Sequence, residues 1–176
     1  LMKDHNGFDH NKQSVRIVTK LEQRYPEFPG LNLTWEVQEG MVKHESEYDI
    51  SDASNYDPDL LGNLETQIAN VADELAYTAH DLDDGIRSGM IKPSQLAGIA
   101  LWEILAEIYN WSGPVLDDLS RHRMIRHLVG IEVSDVIQTT DAKLKESAAN
   151  SPLDIQQLSY NVLGHIEDLT RRNREL

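Results

Sequence analysis

The stretch that decides the fold is ADELAYTAHD, residues 72–81. Within it Asp73, Tyr77 and Asp81 recur at every fourth position, a spacing that aligns side chains on an α-helix. The apolar residues around this stretch also follow a helical period, which predicts a side of the same helix that faces a core. They are Ile68, Val71, Leu75, Leu82 and Ile86. Two carboxylates and a phenol beside a buried stripe predict a polar pocket rather than a solvated surface. A binding site here requires the three side chains to face a cavity.

Periodic apolar residues predict helices along the rest of the chain, and no segment alternates as a half-buried strand would. The predicted helices run from Asp9 or Asn11 to about Tyr25, from Trp35 to about Lys43, from about Asn63 to Ser88, from Pro93 to Trp111, from about Val115 to Glu146, and onward from Pro152. The inward residues expected on the fifth are Leu119, Ile125, Leu128, Val129, Val133, Val136, Ile137 and Leu144. The polar segment from Glu45 to Pro58 predicts a surface loop. We therefore expect one all-α domain over residues 1–176.

The composition limits the classes of function. The 176 residues contain 16 Lys and Arg against 30 Asp and Glu, so the formal net charge is -14, which argues against a broad nucleic-acid interface. The chain has no cysteine, so any metal ion must be bound by histidine and carboxylate. No apolar run approaches the roughly 18 residues that span a bilayer, and no signal peptide is visible, so a cytoplasmic protein is the default expectation.

Several polar residues allow both a structural and a functional interpretation. Asp73 could form an ordinary salt bridge or bind a metal ion or substrate. His10 could be a residue of a helix cap, or a phosphate contact and proton donor at a helix N-terminus. Tyr77 alone would be a core aromatic, and the acidic run that ends at Asp84 could be a plain helix surface. A basic cluster at residues 121–127 is more often a solvated helix face than an anion site. It consists of Arg121, His122, Arg123, Arg126 and His127.

Three phrases together resemble one protein family. They are GFDHNKQSVRI at residues 7–17, YPEFPGLNLTWE at 25–36, and LETQIA at 64–69, which continues into ADELAYTAHDLDDG at 72–85. In this order and spacing they resemble the deoxyguanosine triphosphate triphosphohydrolases and dGTPase-like proteins of the HD-domain superfamily. Weaker similarity continues to the C-terminus, so the resemblance covers nearly the whole chain. It implies part of an HD-domain-like helical bundle.

The resemblance implies metal-dependent hydrolysis of a deoxynucleoside triphosphate, with dGTP as the first candidate, to the deoxynucleoside and inorganic triphosphate. It assigns Asp73 to a divalent metal ion such as Mn²⁺ or Mg²⁺, and it assigns Tyr77 and Asp81 to the deoxyribose. It also places His10 in a catalytic position near the phosphates. Two arginines one helical turn apart, Arg123 and Arg126, are candidates for neutralising the triphosphate. The implied partners are the substrate and further copies of the protein in a homo-oligomer, with nucleic acid expected at most as an activator.

The family's other metal ligands, a histidine and an adjacent His-Asp pair, would lie before Gly7, as would a further catalytic His and Glu. We therefore expect the chain to be the middle of a longer protein, to carry part of the site, and to be inactive alone. Two alternatives stay open at this point. One is a non-catalytic helical segment that binds nucleotide or forms oligomers, and the other is an HD phosphohydrolase that acts on another phosphoester.

Overall fold

A computed structural model describes residues 7–44, 56–113 and 115–164 of the chain. These ranges are helical and contain no strand, which confirms the all-α prediction and is consistent with an HD-like helical bundle. The elements are α1 (His10–Arg16), a π-helical turn (Ile17–Leu21), α2 (Trp35–Val42), α3 (Leu64–Ser88), a 3-10 turn (Pro93–Leu96), α4 (Ala100–Ile108), α5 (Asp118–Ser147) and α6 (Pro152–Gln156). No helix in the described ranges combines the length and apolar character needed to cross a bilayer.

The chain divides into two compact units, which are described separately. The first is Leu1–Asn70 with Ala149–Val162, and the second is Val71–Ala148 with Leu163–Leu176. The division falls within α3, so the first turns of this helix belong to one unit and the rest to the other. That the two units form a single domain stays a prediction.

The first unit opens with α1, which begins as predicted. The Asp9 side chain caps the helix by accepting the backbone N–H of Lys12 at 3.0 Å. The predicted end near Tyr25 is wrong, because the helix widens into the π-helical turn and ends at Leu21. There the N–H of Glu22 donates to the Ile17 carbonyl at 2.9 Å, and Glu22 itself is extended.

The first unit contains a buried ion pair between Lys43 and Glu39. Lys43, just after α2, places its Nζ 2.8 Å from Oε1 of Glu39 and donates to the carbonyls of Asp57 and Leu60, each at 2.8 Å. Gln156 of α6 donates its side-chain amide to the other Glu39 oxygen at 3.2 Å. Both charged side chains are buried, so this network replaces water contacts that the two charges lose on folding.

The predicted limits of α3 are confirmed to within one residue. Gly89 follows the helix with φ +77°, the left-handed geometry that commonly ends a helix. Leu75, Ala79 and Leu82 are buried on one side of the helix, which confirms the predicted inward stripe in its central part, whereas Ile68 is 48% exposed.

The predicted continuous helix from Pro93 to Trp111 is wrong. The chain forms the 3-10 turn, reverses at Gly98 with φ +89°, and only then begins α4. The N–H of Gly98 donates to the Glu103 carboxylate at 3.0 Å, which fixes this reversal. The result places α4 in the core of the second unit, whose buried members are Leu82, Leu96, Leu101, Trp102, Leu105, Met124 and Leu128.

Helix α5 is close to its predicted length, and its predicted buried side is confirmed at Leu128 and Val136 but not throughout. Its buried residues are Arg121, Met124, Leu128, Glu132 and Val136. Three residues predicted to face inward are instead exposed: Leu119 at 68%, Val133 at 41% and Ile137 at 63%. The prediction was wrong for them because it counted apolar residues alone, whereas two of the five buried positions carry charge.

The helix after Pro152 is confirmed as α6. Ser151 caps it by accepting the Asp154 N–H at 3.2 Å, and the Asp154 carboxylate accepts the Ser151 N–H in return at 2.9 Å. Most of the predicted surface loop, at residues 45–55, lies outside the described residues.

Candidate functional site

Asp73, Tyr77 and Asp81 lie in the second unit on one side of α3, at the predicted spacing of four residues. At about 100° per residue, the direction of Tyr77 lies close to opposite the buried side formed by Leu75, Ala79 and Leu82. We call these three side chains the α3 row. The packing of the opposite side of α3 holds the backbone of the row in place.

The α3 row is exposed. Tyr77 is 59% exposed, and Asp73 and Asp81 belong to the exposed class. The expectation that the row faces a polar pocket is therefore wrong for the part of the chain described here. The physical reason is angular: the predicted inward stripe lies on the far side of the helix from the row, rather than beside it. The individual roles of the three residues stay predictions.

The basic cluster of α5 separates into a buried and an exposed part. Arg121 is 3% exposed, whereas Arg123 and Arg126 are exposed on the same helix. The guanidinium carbon of Arg123 lies 5.4 Å from the centre of the Tyr109 ring, within the range of a cation–π contact. The Tyr109 hydroxyl donates to the Arg123 carbonyl at 3.2 Å, and Nδ1 of His127 lies 3.3 Å from the same hydroxyl.

An ion pair between Arg121 and Asp83 joins α5 to α3 within the second unit. A second contact of Arg121 reaches the exposed Asp118 at 3.3 Å. Burial disfavours the charged guanidinium, but the hydrogen bonds and negative charges of Asp83 and Asp118 outweigh this effect and raise the pKa of Arg121 above its ordinary value. Sequence reasoning left open that Asp83 belongs to an acidic helix surface, and the structure instead pairs it with a buried arginine. The only available signal was an arginine at a position in phase with Met124 and Leu128.

His10 is the first residue of α1 and is exposed in the first unit. Its neighbour Asn11 is buried, and the Asn11 amide donates to the His44 carbonyl at 2.9 Å. Nδ1 of His44 in turn lies 2.5 Å from the side-chain oxygen of Asn70. These contacts fix the first turn of α1 against the end of α2, and so they fix the backbone that carries His10. His10 and the α3 row belong to different units of the chain.

The described residues do not supply a complete metal site. No group of three or more histidine and carboxylate side chains in ranges 7–44, 56–113 and 115–164 is arranged to hold an ion. Asp73 offers one exposed carboxylate, and a divalent ion needs several protein ligands in a fixed geometry. The side chains of the described residues therefore do not form a complete site for a catalytic metal ion.

Three similar proteins bear the same name. The chain is 39% identical over 179 residues to a deoxyguanosinetriphosphate triphosphohydrolase-like protein of Geobacter sulfurreducens, with 100% of the chain and 46% of that protein covered. It is 42% identical over 177 residues to the protein of that name in Deinococcus deserti, with 97% and 43% covered, and 35% identical over 191 residues to the one in Parvibaculum lavamentivorans, with 99% and 48% covered.

The chain is related along its whole length to the deoxyguanosinetriphosphate triphosphohydrolase-like proteins. The resemblance found in its sequence phrases is thereby confirmed. No family model matches the chain. The chain spans about half the length of these relatives.

Proposed function

We propose that the protein hydrolyses a deoxynucleoside triphosphate, with dGTP as the first candidate, to the deoxynucleoside and inorganic triphosphate, and that this chain carries part of the site. The observation that carries the proposal is the similarity of the chain to proteins that bear the triphosphohydrolase-like name. The α3 row is exposed in this chain, so the proposal requires that another segment of the intact protein complete a cavity around it. Acid, phenol and acid follow one another at one-turn intervals along about 12 Å of rigid helix.

The two later members of the row suit a deoxyribose. The Asp81 carboxylate can accept a hydrogen bond from the 3′-hydroxyl of the sugar. The Tyr77 ring can pack against the 2′-carbon, where a ribose would place a hydroxyl, so the ring would exclude ribonucleotides. A site that leaves a substrate hydroxyl unpaired, or without space, discriminates strongly between otherwise similar substrates.

The phosphates would be bound by cationic side chains. We assign Arg123 and Arg126 to charge neutralisation of the leaving triphosphate, because guanidinium groups pair with phosphate oxygens through two parallel hydrogen bonds. The buried pair of Arg121 and Asp83 holds α5 against α3, whereas Arg123 and Arg126 lie about 200° and 140° around α5 from Arg121, on its exposed side. His10 is assigned to the phosphate end of the substrate as a proton donor.

We also propose that the intact protein depends on a divalent cation, Mn²⁺ or Mg²⁺, with Asp73 as one of its ligands. When bound, such an ion supplies charge stabilisation at a phosphoryl oxygen and activates water. The remaining ligands would come from a part of the intact protein outside this chain, which would also cover the exposed row. A cytoplasmic location and assembly into homo-oligomers belong to the same proposal.

Asp73→Ala in the intact protein tests the proposal most directly. The variant is expected to abolish metal-dependent release of triphosphate from dGTP, measured by chromatography of deoxyguanosine and triphosphate. Glu65→Ala is the matched control, because Glu65 is also an exposed acid of α3 but lies two turns before Asp73 and about 120° around the helix from the middle of the row. Wild-type turnover in Asp73→Ala would refute the assignment.

Tyr77→Ala separates sugar recognition from catalysis. We expect the ratio of kcat/KM for dGTP to that for GTP to fall by at least about tenfold, because the ring no longer blocks the 2′-hydroxyl. An unchanged ratio would remove Tyr77 from the sugar site. A panel of dNTPs, NTPs and cyclic nucleotides assayed with the same protein tests the wider substrate class.

The 176-residue chain alone is expected to be inactive and to gain no affinity for dGTP when Mn²⁺ is added. Isothermal titration with dGTP, with and without Mn²⁺, measures this. Tight binding that requires the ion would contradict the proposal that the metal ligands are incomplete.

A further inference from the structure

The first unit contains a cavity that the proposed function does not use. It is an open groove of about 300 Å³ beside α1 and the π-helical turn, at the small end of the range for ligand-binding clefts. The lining residues are Lys12, Val15, Arg16, Thr19, Lys20, Val42 and Tyr56. We call this cavity the basic groove. Among the described residues that line it, three of seven are cations and none is an acid, in a chain whose formal net charge is -14.

The three cations recur at intervals of four residues, so they follow one side of the helix and the turn that continues it. Arg16 and Lys20 are exposed and form no ion pair within the described ranges of the chain. Lys12 lies 3.8 Å from the Asp9 carboxylate, an exposed and weak pairing. Among the described residues, an ion pair therefore offsets the positive charge of Lys12 but not that of Arg16 or Lys20.

The backbone around the basic groove is held in an unusual geometry. The π-helical turn places Thr19 and Lys20 on the groove, and the chain folds back so that the N–H of Leu31 donates to the Val18 carbonyl at 2.7 Å. Gly30 makes this return possible: its φ is +72°, and a Cβ there would lie 2.5 Å from backbone atoms of Thr19. Single π-helical turns occur frequently at functional sites.

The remaining lining groups suit an anion. Burial, together with the charge of Glu39, raises the pKa of the Tyr56 phenol, so its hydroxyl stays protonated at neutral pH and can donate a hydrogen bond. Glu39 is itself paired with Lys43 at 2.8 Å, which limits its repulsion of an anion in the groove. Val15 and Val42 provide a partly apolar floor.

We infer that the basic groove binds a small polyphosphate anion, either inorganic triphosphate or the phosphate chain of a nucleotide, through Arg16 and Lys20 with Lys12 at its edge. Guanidinium and ammonium groups side by side form charge-assisted hydrogen bonds to phosphate oxygens. The groove is separate from the position assigned to His10, because Lys12 points about 200° around α1 from that residue. The inference therefore does not depend on the proposed hydrolysis.

Titration of the full 176-residue chain with inorganic triphosphate, in EDTA at low ionic strength, tests the inference. The Arg16→Gln/Lys20→Gln variant is expected to bind at least about tenfold more weakly than the wild type. Arg24→Gln/Arg87→Gln removes the same charge from exposed positions outside the groove and is expected to change the affinity by less than about twofold. Arg16→Lys/Lys20→Arg keeps the charges and is expected to retain binding. Single Arg16→Gln and Lys20→Gln variants decide the question if circular dichroism shows that the double variant does not fold.

Parallel titrations with dGTP and deoxyguanosine distinguish the source of the phosphate. Tighter binding of triphosphate than of dGTP identifies the free anion as the ligand, and the reverse order identifies the nucleotide. In each case the Arg16→Gln/Lys20→Gln variant must weaken the binding of the tighter ligand. Three results would overturn the inference: equal binding of deoxyguanosine, equal losses in the groove and control variants, or no saturable binding of triphosphate by the wild type.

Discussion

Arg121→Met is the substitution whose effect the structure defines most closely. The variant keeps most of the side-chain volume on the buried side of α5 but removes the charge that pairs with Asp83. Because 17% of the Asp83 side chain reaches solvent, we expect a cost near the lower end of the range for breaking a buried ion pair, about 3 kcal/mol. The exposed partner Asp118, at 88%, adds little. For a chain of this length the loss corresponds to a fall in the melting temperature of roughly 6–12 °C.

Urea unfolding followed by circular dichroism measures this cost in free energy. Two further variants serve as comparisons. Arg121→Met/Asp83→Leu is expected to recover to within about 1 kcal/mol of the wild type, because no buried charge is left without a partner. Lys145→Met breaks the exposed pair with Asp141, where the atoms lie 2.5 Å apart, and is expected to cost under about 0.5 kcal/mol. A cost for Arg121→Met as small as that for Lys145→Met, or a double variant no more stable than the single, would refute the reasoning.

Three further predictions concern the fold. Gly30→Ala is expected to destabilise the chain by more than about 2 kcal/mol in urea unfolding, since a left-handed φ and a backbone clash act together, whereas Gly89→Ala, with φ +77° and open space around it, is expected to cost about 1 kcal/mol. Trp102→Ala is expected to lower the free energy of unfolding by about 3–5 kcal/mol, because this ring is 2% exposed in the core of the second unit. Hydrogen bonds from the Asn150 backbone and Ser151 lower the pKa of Asp154 below 3.8. The stability that the Asp154 carboxylate contributes is therefore present above that pH and is lost as the pH falls further, so the destabilisation by Asp154→Ala is expected to shrink in acid. A difference in unfolding free energy that does not change with pH would contradict this expectation.

The sequence predicted the fold well where local signals and packing agree. Helix α3 has a strong apolar period and a glycine that ends it, and both limits were correct to within one residue. The caps at Asp9 and Ser151 act through short-range hydrogen bonds that the residue types alone predict. The division between the 3-10 turn and α4 was missed, because the reversal at Gly98 depends on a hydrogen bond to Glu103 that only the folded chain provides.

The candidate site was predictable to a lesser degree. The spacing of the α3 row was correct, since it follows from helix geometry alone. Its surroundings were not, because exposure depends on which other segments reach that side of α3. The pairing of Arg121 with Asp83 was missed for a related reason: charged residues in sequence are assigned to the surface by default, and only a partner 38 positions away makes burial acceptable.

The α3 row combines exposed side chains with a backbone that is held in place, and both properties matter for the proposed function. A substrate site completed by another segment of a protein needs side chains that are accessible and a backbone that does not move when that segment binds. The α3 row meets both conditions, because Leu75, Ala79 and Leu82 are buried on the far side of the same helix. The pair of Arg121 and Asp83 extends this rigidity to α5. A substitution at Arg121 is therefore expected to raise the KM for dGTP in the intact protein, although Arg121 is buried and contacts no substrate in the proposed site.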